Sequence, residues 1–177
     1  MTTTVDEVFL APGDFHFATN PTRIRTILGS CVGITFWHPV RKIGAMCHFM
    51  LPTRTHRCGV LNGKYGDEAI EMFLEYAKAH RTAPEDYQLK LFGGGEMFPH
   101  HKRGVHYSDV ARMNVRAALE LASRHDLDLI AQDMGSTGYR NVIFDLCNGH
   151  VWVRHKPIPI RTTAEHGHEK NKRTASR

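Results

Sequence analysis

Arg23 to Leu28 (RIRTIL) alternates polar and apolar side chains, the period of a half-buried β-strand. After Gly29-Ser30, the stretch Cys31 to Trp37 (CVGITFW) is rich in β-branched and aromatic residues and reads as a second strand. His38 to Lys42 forms a hairpin loop in this reading, and Ile43 to Leu51 (IGAMCHFML) returns as a third strand ended by Pro52. The period then changes. Ala69, Ile70, Phe73, Leu74, Tyr76 and Ala77 recur at helical spacing behind Asp67 as N-cap, predicting a helix over 67–80. Tyr87 to Phe92 is a short strand running into Gly93-Gly94-Gly95. Ser108 caps a second helix over 109–125 with a buried stripe of Val115, Ala118, Leu119 and Ala122. Leu127 to Gln132 is a strand, and Asn141–Leu146 and Val151–His155 flank Asn148-Gly149, a strong hairpin signal. Residues 1–20 read as an irregular or partly extended lead-in.

About seven strands, arriving mostly in hairpins, and two main helices place the chain in the α+β class. The expected structure is a mixed, mainly antiparallel sheet packed against helices. With 177 residues there is room for one domain with a sizeable core, set here at 1–160. No apolar run approaches the roughly 20 residues of a membrane-spanning helix, so no membrane insertion is expected. The N-terminus lacks the basic start and apolar stretch of a secretory signal, and the expected location is the cytoplasm.

The formal charge of +5 is unevenly spread. Residues 161–177 carry five basic and two acidic side chains, leaving the domain nearly neutral. A basic, aromatic-free tail of this kind is expected to be solvated and disordered. Nucleic-acid binding needs a basic face on the fold itself and is not expected. Four cysteines, at 31, 47, 58 and 147, form no CxxC pair and read as free thiols.

Cys31 stands after two small residues at a strand start. Such a bend lets a substrate carbonyl approach closely and leaves backbone N–H groups to hold an oxyanion. His48 lies near the end of the next strand. If the hairpin turns through a four-residue loop, Cys31 and His48 are directly opposed, about 4.5–5.5 Å apart at Cβ. A five-residue loop puts them on opposite faces unless a bulge intervenes. An adjacent imidazolium lowers a cysteine pKa and supplies the nucleophilic thiolate. The alternative is an ordinary buried cysteine beside one of 13 histidines.

The stretch TILGSCVGITFWHP followed by KIGAMCHFMLP resembles the signature of the chemoreceptor glutamine deamidases (CheD). Phe92 to Phe98 (FGGGEMF) resembles that family's Gly-Gly-x-x-Met-Phe element. Asp133 to Arg140 (DMGSTGYR) resembles its Asp-x-Gly-Gly-x-x-x-Arg turn, with Ser136 in place of the second glycine. The resemblance implies Cys31 as nucleophile and His48 as base. It also implies a threonine upstream of the cysteine as third catalytic residue, most simply Thr26, whose other reading is an ordinary strand residue. The implied reaction is hydrolysis of glutamine side-chain amides, and in some members of glutamyl methyl esters, through a cysteine thioester. The implied substrate is the helical cytoplasmic bundle of methyl-accepting chemotaxis receptors. No cofactor or metal is required. A regulatory partner, the chemotaxis phosphatase CheC, is implied for some members.

Two other function classes compete. One is a chemotaxis adaptor that acts mainly by docking. The other is a metal or redox sensor built on Cys47, His48, His56 and Cys58, since thiolates and imidazoles suit zinc. Adjacent residues on a strand point to opposite faces, which argues against Cys47 and His48 sharing an ion. Gly93 to Gly95 lacks a P-loop ending and reads as a tight turn. His100, His101 and His106 read as exposed loop residues, and His166 and His168 as adventitious metal binders in the tail. Cys58 and Cys147 read as structural.

Overall fold

The computed structural model describes residues 4–56, 59–99 and 107–159, the side chains of Tyr107 and Ser108 excepted. Cys58, the histidines at 100, 101, 106, 166 and 168, and the basic tail at 161–177 lie outside the described residues.

Strands β1 (Asp6–Phe9) and β2 (Phe15–Ala18) precede the predicted elements. Then come β3 (Thr22–Leu28), β4 (Val32–His38) and β5 (Ile43–Phe49), helix α1 (Gly66–Ala79), and β6 (Gln88–Gly93). Helix α2 (Tyr107–Arg124), β7 (Asp128–Met134), β8 (Tyr139–Asp145) and β9 (Val151–Lys156) follow. The strands form two sheets, in the orders β1-β3-β8-β9 and β2-β5-β4-β6-β7. Among the described residues, only the strand pairs β1–β3 and β6–β7 are parallel. The fold is therefore α+β, with mixed and mainly antiparallel sheet.

The layers follow from side-chain alternation. Val32, Ile34 and Phe36 of β4, Ala45, Cys47 and Phe49 of β5, and Leu89 and Leu91 of β6 meet Ile70, Phe73, Ala118 and Leu121 of the helices in one core. Phe36 and Phe73 stack with ring centroids 3.9 Å apart. A second core between the sheets joins Ile24 and Leu28 of β3 with Met46, Phe92, Val142 and Phe144. The five-stranded sheet is thus covered on both faces. That is why β5 reads as an unbroken buried run, with all seven residues buried.

Of the two readings of the lead-in, the partly extended one holds: β1 lies beside β3, and β2 pairs with β5 from Phe15↔Cys47 to Ala18↔Gly44. One expectation needs correction. On α2 the buried positions are Ala111, Asn114, Ala118, Leu121 and Ala122, while Leu119 is 38% exposed. Among the described residues no helix is long and apolar enough to cross a membrane.

Candidate active site

Cys31 occupies the bend between β3 and β4, half-buried against the inter-sheet core. The β4–β5 hairpin closes with His38 opposite Ile43, through a four-residue loop at 39–42. His48 nevertheless faces Gly33 and not Cys31. Continuing this register sets position 31 against position 50. Cys31 and His48 are therefore diagonal neighbours on one face of the sheet, where separations run to about 7–8 Å. Glycine at 33 leaves the position across from the imidazole without a side chain.

His48 is 2% exposed and points between the sheets, while its neighbour Cys47 is buried in the helix-side core. The two side chains have no common ligand space. Among the described residues, no three His, Cys, Asp or Glu side chains gather to hold a metal ion. His56, from the same sequence cluster, sits in an exposed loop.

The imidazole is anchored from the opposite sheet. Thr26 on β3 is buried, and its Oγ1 lies 2.8 Å from His48 Nδ1 and 2.8 Å from the Leu10 carbonyl oxygen. A hydroxyl has one proton to give, and the carbonyl can only accept. Thr26 therefore donates to Leu10 and accepts from His48 Nδ1–H. This assignment leaves Nε2 as the unprotonated, basic ring nitrogen. The lead-in contributes more than Leu10: the His48 N–H donates to the Asp14 carbonyl at 2.9 Å, and the Gly13 N–H to the His48 carbonyl at 2.8 Å.

Burial sets the resting charge state. Desolvation raises the Cys31 thiol above its ordinary value, opposed by a Ser30 side-chain hydrogen bond. Desolvation lowers His48 from 6.5 to about 4, against smaller opposing contributions from the Leu10 carbonyl and Asp14. Both groups are thus neutral near pH 7. A preformed thiolate–imidazolium pair, which the spacing permits, is disfavoured by the low-polarity surroundings.

The glycine run and the Asp–Arg turn lock the bend in place. Gly94 N–H donates to the Cys31 carbonyl at 2.7 Å, and Gly95 N–H to the Gly29 carbonyl at 2.8 Å. Gly93 has φ +100°, and a Cβ there would collide with the Cys31 carbonyl oxygen. On its far side the run takes Gly135 N–H on the Gly93 carbonyl and gives Glu96 N–H to the Ser136 carbonyl. Arg140, 1% exposed, donates to Asp133 at 2.8 and 2.9 Å and to the Gly135 carbonyl at 2.9 Å. Met97 lies over the bend, its sulfur 2.9 Å from where a Cβ on Gly29 would stand. The run read as a simple tight turn is therefore the brace of the Cys31 bend.

Sequence reasoning missed three contributors: the Leu10 carbonyl, the Asp14 carbonyl and Asn114. Only the alternation in Phe15-His16-Phe17-Ala18 signalled a strand in that region.

A half-buried thiol on a glycine-braced bend, with an imidazole held in one tautomer on the same sheet face, is an arrangement suited to cysteine-dependent acyl transfer. The family model for CheD, chemotactic sensory transduction, matches residues 50–155. A protein of Pseudomonas savastanoi pv. phaseolicola named "probable chemoreceptor glutamine deamidase CheD" is 57% identical over 98% of this chain and 97% of its own. One of the same name from Pseudomonas fluorescens is 59% identical over 93% of this chain and 92% of its own. A more distant one from Leptospira interrogans is 36% identical over 85% and 93% of the two chains. This chain belongs to the CheD family. Among solved structures, YlmD from Geobacillus stearothermophilus reaches a TM-score of 0.37 at 10% identity over 73% of this chain and 59% of that one, too distant to bear on fold or activity.

Proposed function

We propose that this chain is a cytoplasmic, cysteine-dependent protein-glutamine deamidase of chemotaxis receptors, with Cys31 as nucleophile, His48 as general base and Thr26 as the residue that orients the base. Membership of the CheD family supports the reaction and the substrate class. The observation that carries the residue roles is the Leu10–Thr26–His48 chain of hydrogen bonds, which leaves Nε2 of His48 free to take a proton. The catalytic unit is the domain spanning 1–160.

In the reaction, His48 Nε2 removes the Cys31 thiol proton as sulfur attacks the glutamine side-chain amide carbon. Negative charge collects on the former carbonyl oxygen, which backbone N–H groups of the bend receive. The imidazolium then gives its proton to the departing nitrogen, ammonia leaves, and a γ-glutamyl thioester remains. His48 next deprotonates water, which attacks the thioester and releases glutamate and the thiol. A glutamyl methyl ester follows the same course with methanol leaving. No step calls for a cofactor. The same reading takes the receptors' cytoplasmic helical bundle as partner and includes CheC as a second, regulatory one.

The test is incubation with receptor cytoplasmic fragments and mass spectrometry, looking for a gain of about 1 Da for each glutamine whose NH2 is replaced by OH. Wild type produces the gain at specific glutamines, and Cys31→Ala does not. Equal gains from both proteins, or none from wild type, would overturn the proposal. Complex formation with purified CheC, measured by gel filtration, tests the second partner.

A further inference from the structure

Helix α2 places Asn114 with no solvent exposure against the back of the Cys31 bend. Its Nδ2 donates to the Ser30 carbonyl at 3.0 Å and to the Met50 carbonyl at 2.9 Å. Both protons of the amide are thereby used, and both acceptors are carbonyls, which fixes which end of the side chain is nitrogen. The Oδ1 atom is buried and has no hydrogen-bond partner among the described residues. A buried polar side chain left half-satisfied calls for an explanation beyond packing.

The Ser30 carbonyl belongs to the same peptide unit as the Cys31 N–H. A trans peptide is planar, with its C=O and N–H pointing in opposite directions. Drawing the oxygen toward α2, on the helix side of the sheet, turns the Cys31 N–H away from the helix and toward the space between the sheets. His48 and the Cys31 side chain face that space. Among the described residues, no backbone acceptor takes the Cys31 N–H. The other carbonyl held by Asn114, at Met50, stands two residues after His48 at the end of β5. One side chain therefore ties the nucleophile's bend to the strand that carries the base.

We propose that Asn114 is a positioning residue for the deamidation, aiming the Cys31 N–H as an oxyanion donor and fixing the bend relative to β5. This rests on Cys31 being the nucleophile. Because the donor acts on charge that develops during attack, its loss falls on kcat more than on KM. Alkylation of the thiol by iodoacetamide is a displacement at carbon that forms no oxyanion, so it follows the thiolate and does not need the donor.

The experiment compares wild type, Asn114→Ala and Asn114→Ser, the last offering a shorter donor. Receptor-fragment deamidation, the rate of Cys31 alkylation by iodoacetamide and the thermal midpoint are measured for each. Asn114→Ala is expected to lose about 10–100-fold in kcat, a portion of the loss seen when an oxyanion donor is removed outright. KM and the alkylation rate stay within about twofold of wild type if the side chain acts on charge stabilisation alone. Unchanged kcat in the folded variant would overturn the proposal. So would a parallel fall in alkylation and turnover, or failure of both variants to fold, each of which marks a purely structural role. Cys31→Ala separates the two levels of inference. If it still deamidates, the nucleophile assignment fails. If it is inactive while Asn114→Ala is fully active, only the role of Asn114 fails.

Discussion

Replacing Thr26 by valine keeps the shape of the side chain and removes the hydroxyl that joins Leu10 to His48. Two 2.8 Å hydrogen bonds disappear, and the Leu10 carbonyl and the His48 Nδ1–H lose that partner in a site where Thr26 and His48 are each 2% exposed. A buried group without a partner costs about 1–3 kcal/mol, so the pair costs about 2–4 kcal/mol after partial relaxation. In a chain of this size each kcal/mol moves the thermal midpoint by about 2–4 °C, which gives an expected fall of about 5–15 °C. Turnover suffers separately. Without an acceptor at Nδ1 the imidazole is free to exchange tautomers, and a protonated Nε2 cannot accept the thiol proton. The expected loss is about 10–100-fold in kcat at a temperature well below the midpoint, less than the full contribution of a general base. KM should hold, since Thr26 is buried behind the base. Thr26→Ser keeps the hydroxyl and should retain turnover within a few-fold. Deamidation followed by mass spectrometry, with calorimetry alongside, checks both effects. Wild-type kcat in Thr26→Val, or equal impairment of the valine and serine variants, would refute the relay and leave only methyl packing.

Three further outcomes follow from the geometry. His48 is lowered from 6.5 to about 4, so the unfolded chain binds that proton first as pH falls. Stability contributed by the neutral imidazole is full above pH 6.5 and declines as pH drops toward about 4, by at most about 3 kcal/mol. Urea midpoints across that window should show a smaller pH slope for His48→Gln than for wild type, and equal slopes would contradict the assignment. Gly93→Ala combines φ +100° with a collision against the Cys31 carbonyl and should abolish measurable deamidation. Gly135→Ala is its control, with φ +75° but open space around the new Cβ, and should cost only about 1–2 kcal/mol. Ser136 occupies the left-handed region at φ 61°, where the family pattern carries glycine, and Ser136→Gly should raise the thermal midpoint by about 1–4 °C.

The elements that were legible had both a clear period and local turn chemistry. The β4–β5 hairpin, α1 and the β8–β9 hairpin around Asn148-Gly149 lie within two residues of their predicted bounds. The opposite orientations of Cys47 and His48 followed from alternation alone. The register of Cys31 and His48 did not, because it depends on which pair closes the loop, and His38↔Ile43 shifts the partner of His48 by two positions. The strands β1 and β2 are four residues each, and β1 is held by parallel pairing to a non-adjacent strand. Four residues carry too little pattern to be told from loop. Asn114 was unreadable for a different reason. A polar residue on a helix is assigned to solvent by pattern, and what buries this one is a pair of carbonyls contributed by two other elements.

The charge state of the site separates two ways of running the same chemistry. In an ion-paired enzyme the thiolate exists before substrate arrives, and the imidazolium keeps the thiol pKa low. Here desolvation acts on both partners in the direction of neutrality, with Cys31 raised from 9.0 and His48 lowered to about 4. Proton transfer must then accompany attack, with His48 acting as general base on a neutral thiol. A neutral thiol also resists oxidation, since susceptibility follows thiolate character. The consequence is measurable without substrate. Alkylation of Cys31 by iodoacetamide should accelerate steadily as pH rises from 6 through 9, with no plateau in that range, because the thiolate fraction keeps growing below a raised pKa. An ion pair would instead give a plateau at neutral pH ending in a fall at the acid side. The profile is read by intact-protein mass spectrometry on a variant in which the other three cysteines are serine. A flat rate between pH 6 and 8 would show that the imidazolium forms after all, and that charge pairing outweighs burial at this site.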